Sequence, residues 1–160
     1  MKKVLTFVLL FTLLSSMSLA MELKGKTGVG LRGSSFSVRK FISNNFAVDA
    51  SVDYSSSTQT GVADSNYYGY SVGGLFAKEV FQDVLLEAGA TLQGWSGFSA
   101  GTSYTGFSIN PFVGAECFIN EHFSVDGKVF IGYYGSEMTG TSRWTGTSLL
   151  NGNLGAHIYL

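Results

Sequence analysis

Between Phe46 and Tyr54 every second residue is apolar: Phe46, Val48, Ala50, Val52 and Tyr54 alternate with Ala47, Asp49, Ser51 and Asp53. A period of two puts the two sets on opposite faces of a β-strand, where a helix would need a period near 3.6. The split recurs over 84–95, where Val84, Leu86, Ala88, Ala90 and Leu92 oppose Leu85, Glu87, Gly89, Thr91, Gln93 and Trp95. It returns over 123–133 and in the final stretch, and no convincing helical period follows residue 20. The chain is therefore expected to be all-β.

A repeat sets how the strands are joined. FISNNFAVDASV (41–52) and FINEHFSVDGKV (118–129) agree at six of twelve positions. Each reads as two strands around a three-residue turn, Ser43-Asn44-Asn45 and Asn120-Glu121-His122, and Phe81-Gln82-Asp83 is a third such junction. The turn centres, 44, 82 and 121, lie 38 and 39 residues apart. Three residues keep the apolar positions of partner strands on one face, pairing Ile42 with Phe46, Lys40 with Val48, Val38 with Ala50 and Phe36 with Val52. Eight strands are expected, near 24–32, 35–42, 46–55, 67–80, 84–96, 103–119, 123–135 and 146–160. Gly33-Ser34 is short, whereas 56–66, 97–102 and 136–145 read as longer loops rich in Ser, Thr and Gly.

Composition decides which way the apolar face points. Residues 1–20 carry Lys2 and Lys3, an apolar run from Val4 to Leu14, and small residues at Ser18 and Ala20. That is the pattern of a secretory signal peptide cleaved between Ala20 and Met21, leaving a domain of 21–160. The run is too short for the ~20 residues that span a bilayer as a helix. Eight of the 10 Lys and Arg lie beyond the leader, against 11 Asp and Glu, so nothing points to nucleic acid. Cys117 stands alone and the only histidines are His122 and His157, so no internal disulfide, metal site or cofactor is expected. Charged residues make up 13%, about half the ~25% of soluble domains, too few to coat the outside of a lipocalin-like barrel.

An even number of antiparallel strands with tight turns at one end and longer loops at the other is the pattern of an outer-membrane barrel. Closure leaves no backbone group unpaired in lipid. The expected fold is an eight-stranded antiparallel up-and-down transmembrane β-barrel. Aromatic residues sort into two belts expected at the membrane interfaces: Tyr54, Tyr68, Tyr70, Trp95, Tyr104, Tyr133 and Trp144 near the loop end, Phe46, Phe81, Phe118 and Phe123 near the turn end.

The opening VGLRGSSFSVRKFISNNFAVDASVDYSS, the hairpin units and the ending GNLGAHIYL resemble the small eight-stranded outer-membrane barrels of Gram-negative bacteria, the OmpX and OmpA-barrel type, over essentially all of 21–160. The resemblance implies a bacterial outer-membrane location and contact with outer-membrane lipids and lipopolysaccharide. It also implies a C-terminal signal for the barrel assembly machinery at Gly155, Ile158 and Leu160. Leu160 stands where the family usually has Phe, and Leu154 where it usually has a polar residue. The implied role is structural or surface-interacting, in adhesion or envelope integrity, with loops 56–66, 97–102 and 136–145 meeting host or surface ligands. A narrow porin-like channel is the alternative. A lipid A-modifying enzyme fits less well, because the palmitoyltransferases and deacylases of this architecture keep His and Ser at the outer-leaflet end. His122 and His157 belong to the turn end, so no catalytic residue is expected.

Inside a small barrel, side chains fill the bore. The inward set comprises Lys26, Arg32, Arg39, Asp49, Asp53, Glu87, Glu116, Asp126, Lys128 and His157. Asp49, Glu87 and Asp126 each stand five residues beyond a turn centre and should form a ring at one height, with Glu116 opposite Asp126. Buried carboxylates need cations, and Arg39, opposite Asp49, and Lys128 are expected to supply them. Lys40 and Lys78, each four residues before a turn centre, are expected at the lipid interface with Tyr68, Tyr70 and Tyr133. Cys117 occupies the matching outward position on strand six. Pro111 cannot donate to a ladder, so a bulge is expected at Asn110-Pro111.

Overall fold

Each alternating run becomes a strand: β1 (Thr27–Arg32), β2 (Ser35–Ser43), β3 (Phe46–Ser57), β4 (Ser65–Phe81), β5 (Val84–Ser99), β6 (Thr102–Asn120), β7 (Phe123–Met138) and β8 (Trp144–Tyr159). They pair antiparallel in sequence order, and β1 meets β8 to close a barrel. The computed structural model describes residues 22–57, 64–99, 101–138 and 144–160. The leader with its Ala20–Met21 junction, and the middles of two expected loops at 58–63 and 139–143, lie outside the described residues.

The hairpin repeat is real, but its turn differs from the expected one. Ser43 pairs with Phe46, so the connection is the two-residue Asn44-Asn45, and Ile42 is left over as a bulge before Phe41 pairs with Ala47. The other two hairpins do the same: Phe81 pairs with Val84 past Val80, and Asn120 with Phe123 past Ile119. A two-residue turn alone would reverse the faces, and the extra residue restores them. Lys40↔Val48, Val38↔Ala50 and Phe36↔Val52 therefore pair as expected. Asp83 takes a left-handed conformation in its turn, φ 64°, which Asp tolerates better than most residues.

Two other expectations are corrected. The loop at 97–102 is mostly strand, since β5 runs to Ser99 and β6 starts at Thr102, with Gly101 turning the chain at φ 82°. No bulge sits at Pro111. Its ring points outward, the β6–β7 ladder omits Asn110 and Pro111, and the register is the same on both sides, Ile109↔Tyr133 and Phe112↔Phe130. The bulge is one strand further on, where 149–150 of β8 oppose a single residue of β7 between Phe130↔Asn151 and Gly132↔Ser148.

The apolar set faces outward. Leu31, Phe76, Val113 and Leu154 are among the most exposed side chains, at 62%, 67%, 62% and 79%. β3, β5 and β6 carry no charged residue on their outward faces. The inward face is closed at the turn end by Leu23, Phe41, Ala47, Leu75, Ala77, Leu85, Phe118 and Tyr159, all nearly inaccessible. Leu23 precedes β1 and is held across the barrel end, its N–H and that of Lys24 donating to Asn44 Oδ1 at 3.1 and 2.9 Å. Phe118 therefore belongs to this plug rather than to an outer belt. Trp95 and Tyr104 are likewise inward, as their pairing with the inward rows of β5 and β6 requires. Tyr54, Tyr68, Tyr70 and Tyr133 do face outward.

The wall is uneven in height. β1 has 6 residues and β2 has 9, while β4 to β8 have between 16 and 19. Pairing of β2 with β3 ends at Phe36↔Val52, and pairing of β1 with β8 ends at Arg32↔Gly155. Beyond those points β3–β8 continue as an open sheet, and among the described residues it has two free edges, one on β3 past Val52 and one on β8 before Leu154.

Candidate functional site

The bore divides into a lower half packed with charges and an upper half lined mainly by uncharged groups. In the lower half, Arg39 from β2 lies at the centre with none of its surface accessible. Its Nε donates to Asp49 Oδ1 at 2.8 Å, and Nη2 to Asp49 Oδ2 at 3.3 Å. Its Nη1 donates to Glu87 Oε1 at 2.6 Å and also to Glu116 Oε2. Lys128 Nζ stands 3.0 Å from Asp49 Oδ2 and 3.2 Å from Glu87 Oε2, and 4.3 Å above the Phe112 ring. Arg32, from the upper end of β1, adds Asp49 at 3.1 Å and Asp126 at 3.4 Å. The expected members Arg39, Asp49, Glu87, Glu116, Asp126 and Lys128 thus meet in one cluster.

Sequence reasoning missed the neutral partners. Glu116 Oε1 accepts from Ser124 Oγ at 2.5 Å and from the Tyr159 hydroxyl at 2.8 Å. Both share the inward parity of their strands, so the signal was present in the alternation. Two expected members stay outside the cluster. Lys26 Nζ reaches the Glu121 carbonyl at 3.4 Å at the turn end. Asp53 accepts from Ser35 Oγ at 3.2 Å in the chamber above.

Bulk is accommodated by placing glycine opposite it. A Cβ on Gly155 would lie 2.3 Å from Asp126 Oδ1, and one on Gly114 would lie 2.9 Å from Lys128 Cγ. Gly155, expected as part of a C-terminal signal, thus has a local steric reason to be glycine. Ile158 and Leu160 are exposed on the outer face, and the backbone groups of Leu160 and Thr27 bond to each other across the closing seam at 2.9 and 3.3 Å. Among the expected interface residues, Lys78 is exposed, and Lys40 Nζ donates to the Gly25 carbonyl at 2.6 Å and to Thr27 Oγ1 at 2.8 Å. Cys117 is half-buried.

One arrangement has the form of a hydrolase triad. Ser37 Oγ is 3.1 Å from His157 Nε2, and His157 Nδ1 is 3.4 Å from Asp126 Oδ1. A nucleophile also needs room for a substrate. Ser37 is 0% exposed and His157 1%, and neither lines any of the cavities described below. Ser37 and His157 hydrogen-bond to each other out of reach of any substrate, while His157 Nδ1 and the Asp126 carboxylate face each other without a hydrogen bond.

Above the charges, a chamber of about 210 Å³ is lined by Ser51, Ser71, Thr91, Asp53, Arg32 and other polar residues. Ser51 and Ser71 share a hydrogen bond of 2.7 Å across it. It leads into a wider cavity of about 560 Å³, the two sharing Gln93, Asn110 and Asn151. Downward, the bore is blocked by the charge cluster and then by the apolar plug, so no continuous passage runs through the barrel.

No family model matches the chain, and no curated protein matches it. Among solved structures, the crystal structure of Ail, the attachment invasion locus protein of Yersinia pestis, aligns with a TM-score of 0.48 and 17% identity, over 86% of this chain and 99% of that one.

Proposed function

We propose that the chain is an integral protein of the bacterial outer membrane, exported with a cleaved leader, that interacts with partners at the cell surface. A closed barrel with an apolar outside and its charges locked inside suits a bilayer, where every backbone group must be paired within the protein. A strand crosses the apolar layer in ~9–11 residues. Strands β4–β8 exceed that length, and above the tyrosines their outward residues include Ser96, Ser103, Thr105 and Glu137 beside the aromatic Phe98.

The observation that carries the interaction role is the raised sheet with two free edges. A free edge presents unpaired N–H and C=O groups to which another chain can add a strand. The tight-turn end then faces the periplasm, with Lys40 and Lys78 near inner-leaflet phosphates and Tyr54, Tyr68, Tyr70 and Tyr133 at the outer interface. Lipids and lipopolysaccharide surround the wall, and assembly machinery reads the C-terminal strand. The blocked bore argues against the channel reading, which predicts single-channel conductance in a planar bilayer.

Cysteines placed singly at Ser99 and Asn44, in a Cys117→Ala background, test the reading with a membrane-impermeant maleimide on intact cells. Ser99→Cys should label at once and Asn44→Cys only after permeabilisation; equal labelling of both would refute the orientation. Adhesion of the same cells to immobilised matrix protein should fall when Ser56→Pro is introduced on the β3 edge, and undiminished adhesion would remove the edge from the mechanism.

A further inference from the structure

The upper bore is built to stay open. Four large aromatic side chains, Tyr67, Trp95, Tyr104 and Tyr134, line the cavity of about 560 Å³ and have the bulk to fill a bore this narrow. Three of them are instead laid against the wall, each on a glycine of the neighbouring strand. A Cβ on Gly106 would lie 2.3, 2.4 and 2.7 Å from three atoms of the Trp95 indole, so the ring lies flat over that glycine. Tyr104 lies over Gly97 in the same way, with its closest ring atom 2.3 Å from the added Cβ, and Tyr134 over Gly146, with its hydroxyl at 2.6 Å. Each ring has one face on backbone and the other toward the lumen. Tyr104 is also fixed at its tip, donating to the Asn66 carbonyl at 3.4 Å.

Between the rings and the chamber below stand three carboxamides, Gln93 from β5, Asn110 from β6 and Asn151 from β8. Each offers two donors and an acceptor. Asn110 is oriented by donating from Nδ2 to Ser108 Oγ at 2.8 Å. Among the described residues no charged side chain lines the cavity, and Arg32 and Asp53 line the chamber beneath. The volume lies within the ~300–1,000 Å³ typical of small-molecule sites.

This chemistry selects a ligand class. An ion would be desolvated without a counter-charge, and a wholly apolar ligand would strip water from the remaining donors and acceptors of the three amides without replacing it. A molecule with flat C–H faces and hydroxyl edges satisfies both surfaces, its faces against the rings and its hydroxyls on the amides. We propose that the upper bore is a binding cup for an uncharged pyranose sugar, either free in solution or at the end of a membrane-borne glycolipid. The cup deepens the surface-interaction reading and rests on it for the side of the membrane it faces, but binding itself does not depend on that reading.

The test uses the purified, folded chain in dodecylphosphocholine micelles, because glucoside and maltoside detergents would present the ligand themselves. Maltotriose is titrated while tryptophan fluorescence and the side-chain amide NMR signals of Gln93, Asn110 and Asn151 are followed. Rough lipopolysaccharide with uncharged terminal sugars is compared with lipid A lacking them. A saturable shift of those amides with maltotriose assigns a soluble source. A shift with the rough lipopolysaccharide alone, and none with lipid A, assigns the glycolipid. In either case Gln93→Leu and Asn110→Leu, each verified as folded by its heat-dependent gel mobility, should weaken binding roughly tenfold or more. No saturable shift with either sugar probe, equal shifts with lipid A, or unchanged affinity in both folded variants would overturn the proposal. Failure here leaves the cysteine-labelling result untouched, so the two readings fail separately.

Discussion

The lower bore is ringed by all eight strands and the uppermost cavity by β4–β8 alone, and the two solve the problem of a polar interior in opposite ways. Below, Arg39 and Glu116 are fully inaccessible, and four carboxylates face Arg32, Arg39, Lys128 and His157, with Ser124 and Tyr159 donating to Glu116. Above, Gln93 is half-buried and Asn151 exposed, the groups are neutral, and space remains between them. Where water is excluded, each charge depends on a fixed partner; where water reaches, no partner is needed. The difference tells which half holds the barrel together and which is free to take a ligand.

The comparison breaks most readily at its centre. Arg39→Ala leaves four buried carboxylates short of a cation and should lower stability by ~3–5 kcal/mol, read as urea unfolding of the folded protein in micelles. Undiminished stability would mean that the lower half is as wet as the upper. Next in size is the coupling between Arg39 and Asp49, joined by two hydrogen bonds. Arg39→Ala combined with Asp49→Ala should lose less than the two single changes together, by ~1–3 kcal/mol, whereas strict additivity would separate the pair. At the wall of the cup, Gly106→Ala drives a methyl into the Trp95 ring and should cost ~1–3 kcal/mol, with a change in tryptophan emission as the ring lifts. Smallest is Asn151→Ala in the upper bore, expected within ~0.5 kcal/mol of the parent protein in the same assay.

Much of this division could be read from the alternation. Parity alone places Arg39, Asp49, Glu87, Glu116, Asp126 and Lys128 on one face, and the 38- and 39-residue spacing of the turns sets three acids at one height. The turn type could not be read, because a three-residue turn and a two-residue turn with a bulge at 42, 80 or 119 use the same residues and leave the same faces inward. Height along the strand places Trp95, Tyr104 and Phe118 in outer belts, whereas parity puts them with Gln93, Ser108 and Glu116. Height and parity conflict at these positions, and parity wins because a one-residue offset turns a side chain through the wall. The open upper bore had no sequence signal of its own. It depends on Gly97, Gly106 and Gly146 falling beside particular rings, which only the strand register reveals.

The partners of the charge cluster come from distant parts of the chain. Arg39 meets Glu116 from 77 positions away, Asp49 meets Lys128 across 79, and Ser37 meets His157 across 120. The β2–β3 hairpin brings Arg39 to Asp49 by itself, but Glu116, Lys128 and His157 reach their partners only from later strands. Long loops must close before all of these groups are satisfied, a topology that favours slow folding. The cluster thus ties the last strands to the first: Lys128 and His157 find Asp49 and Ser37 only when the circle of strands is complete.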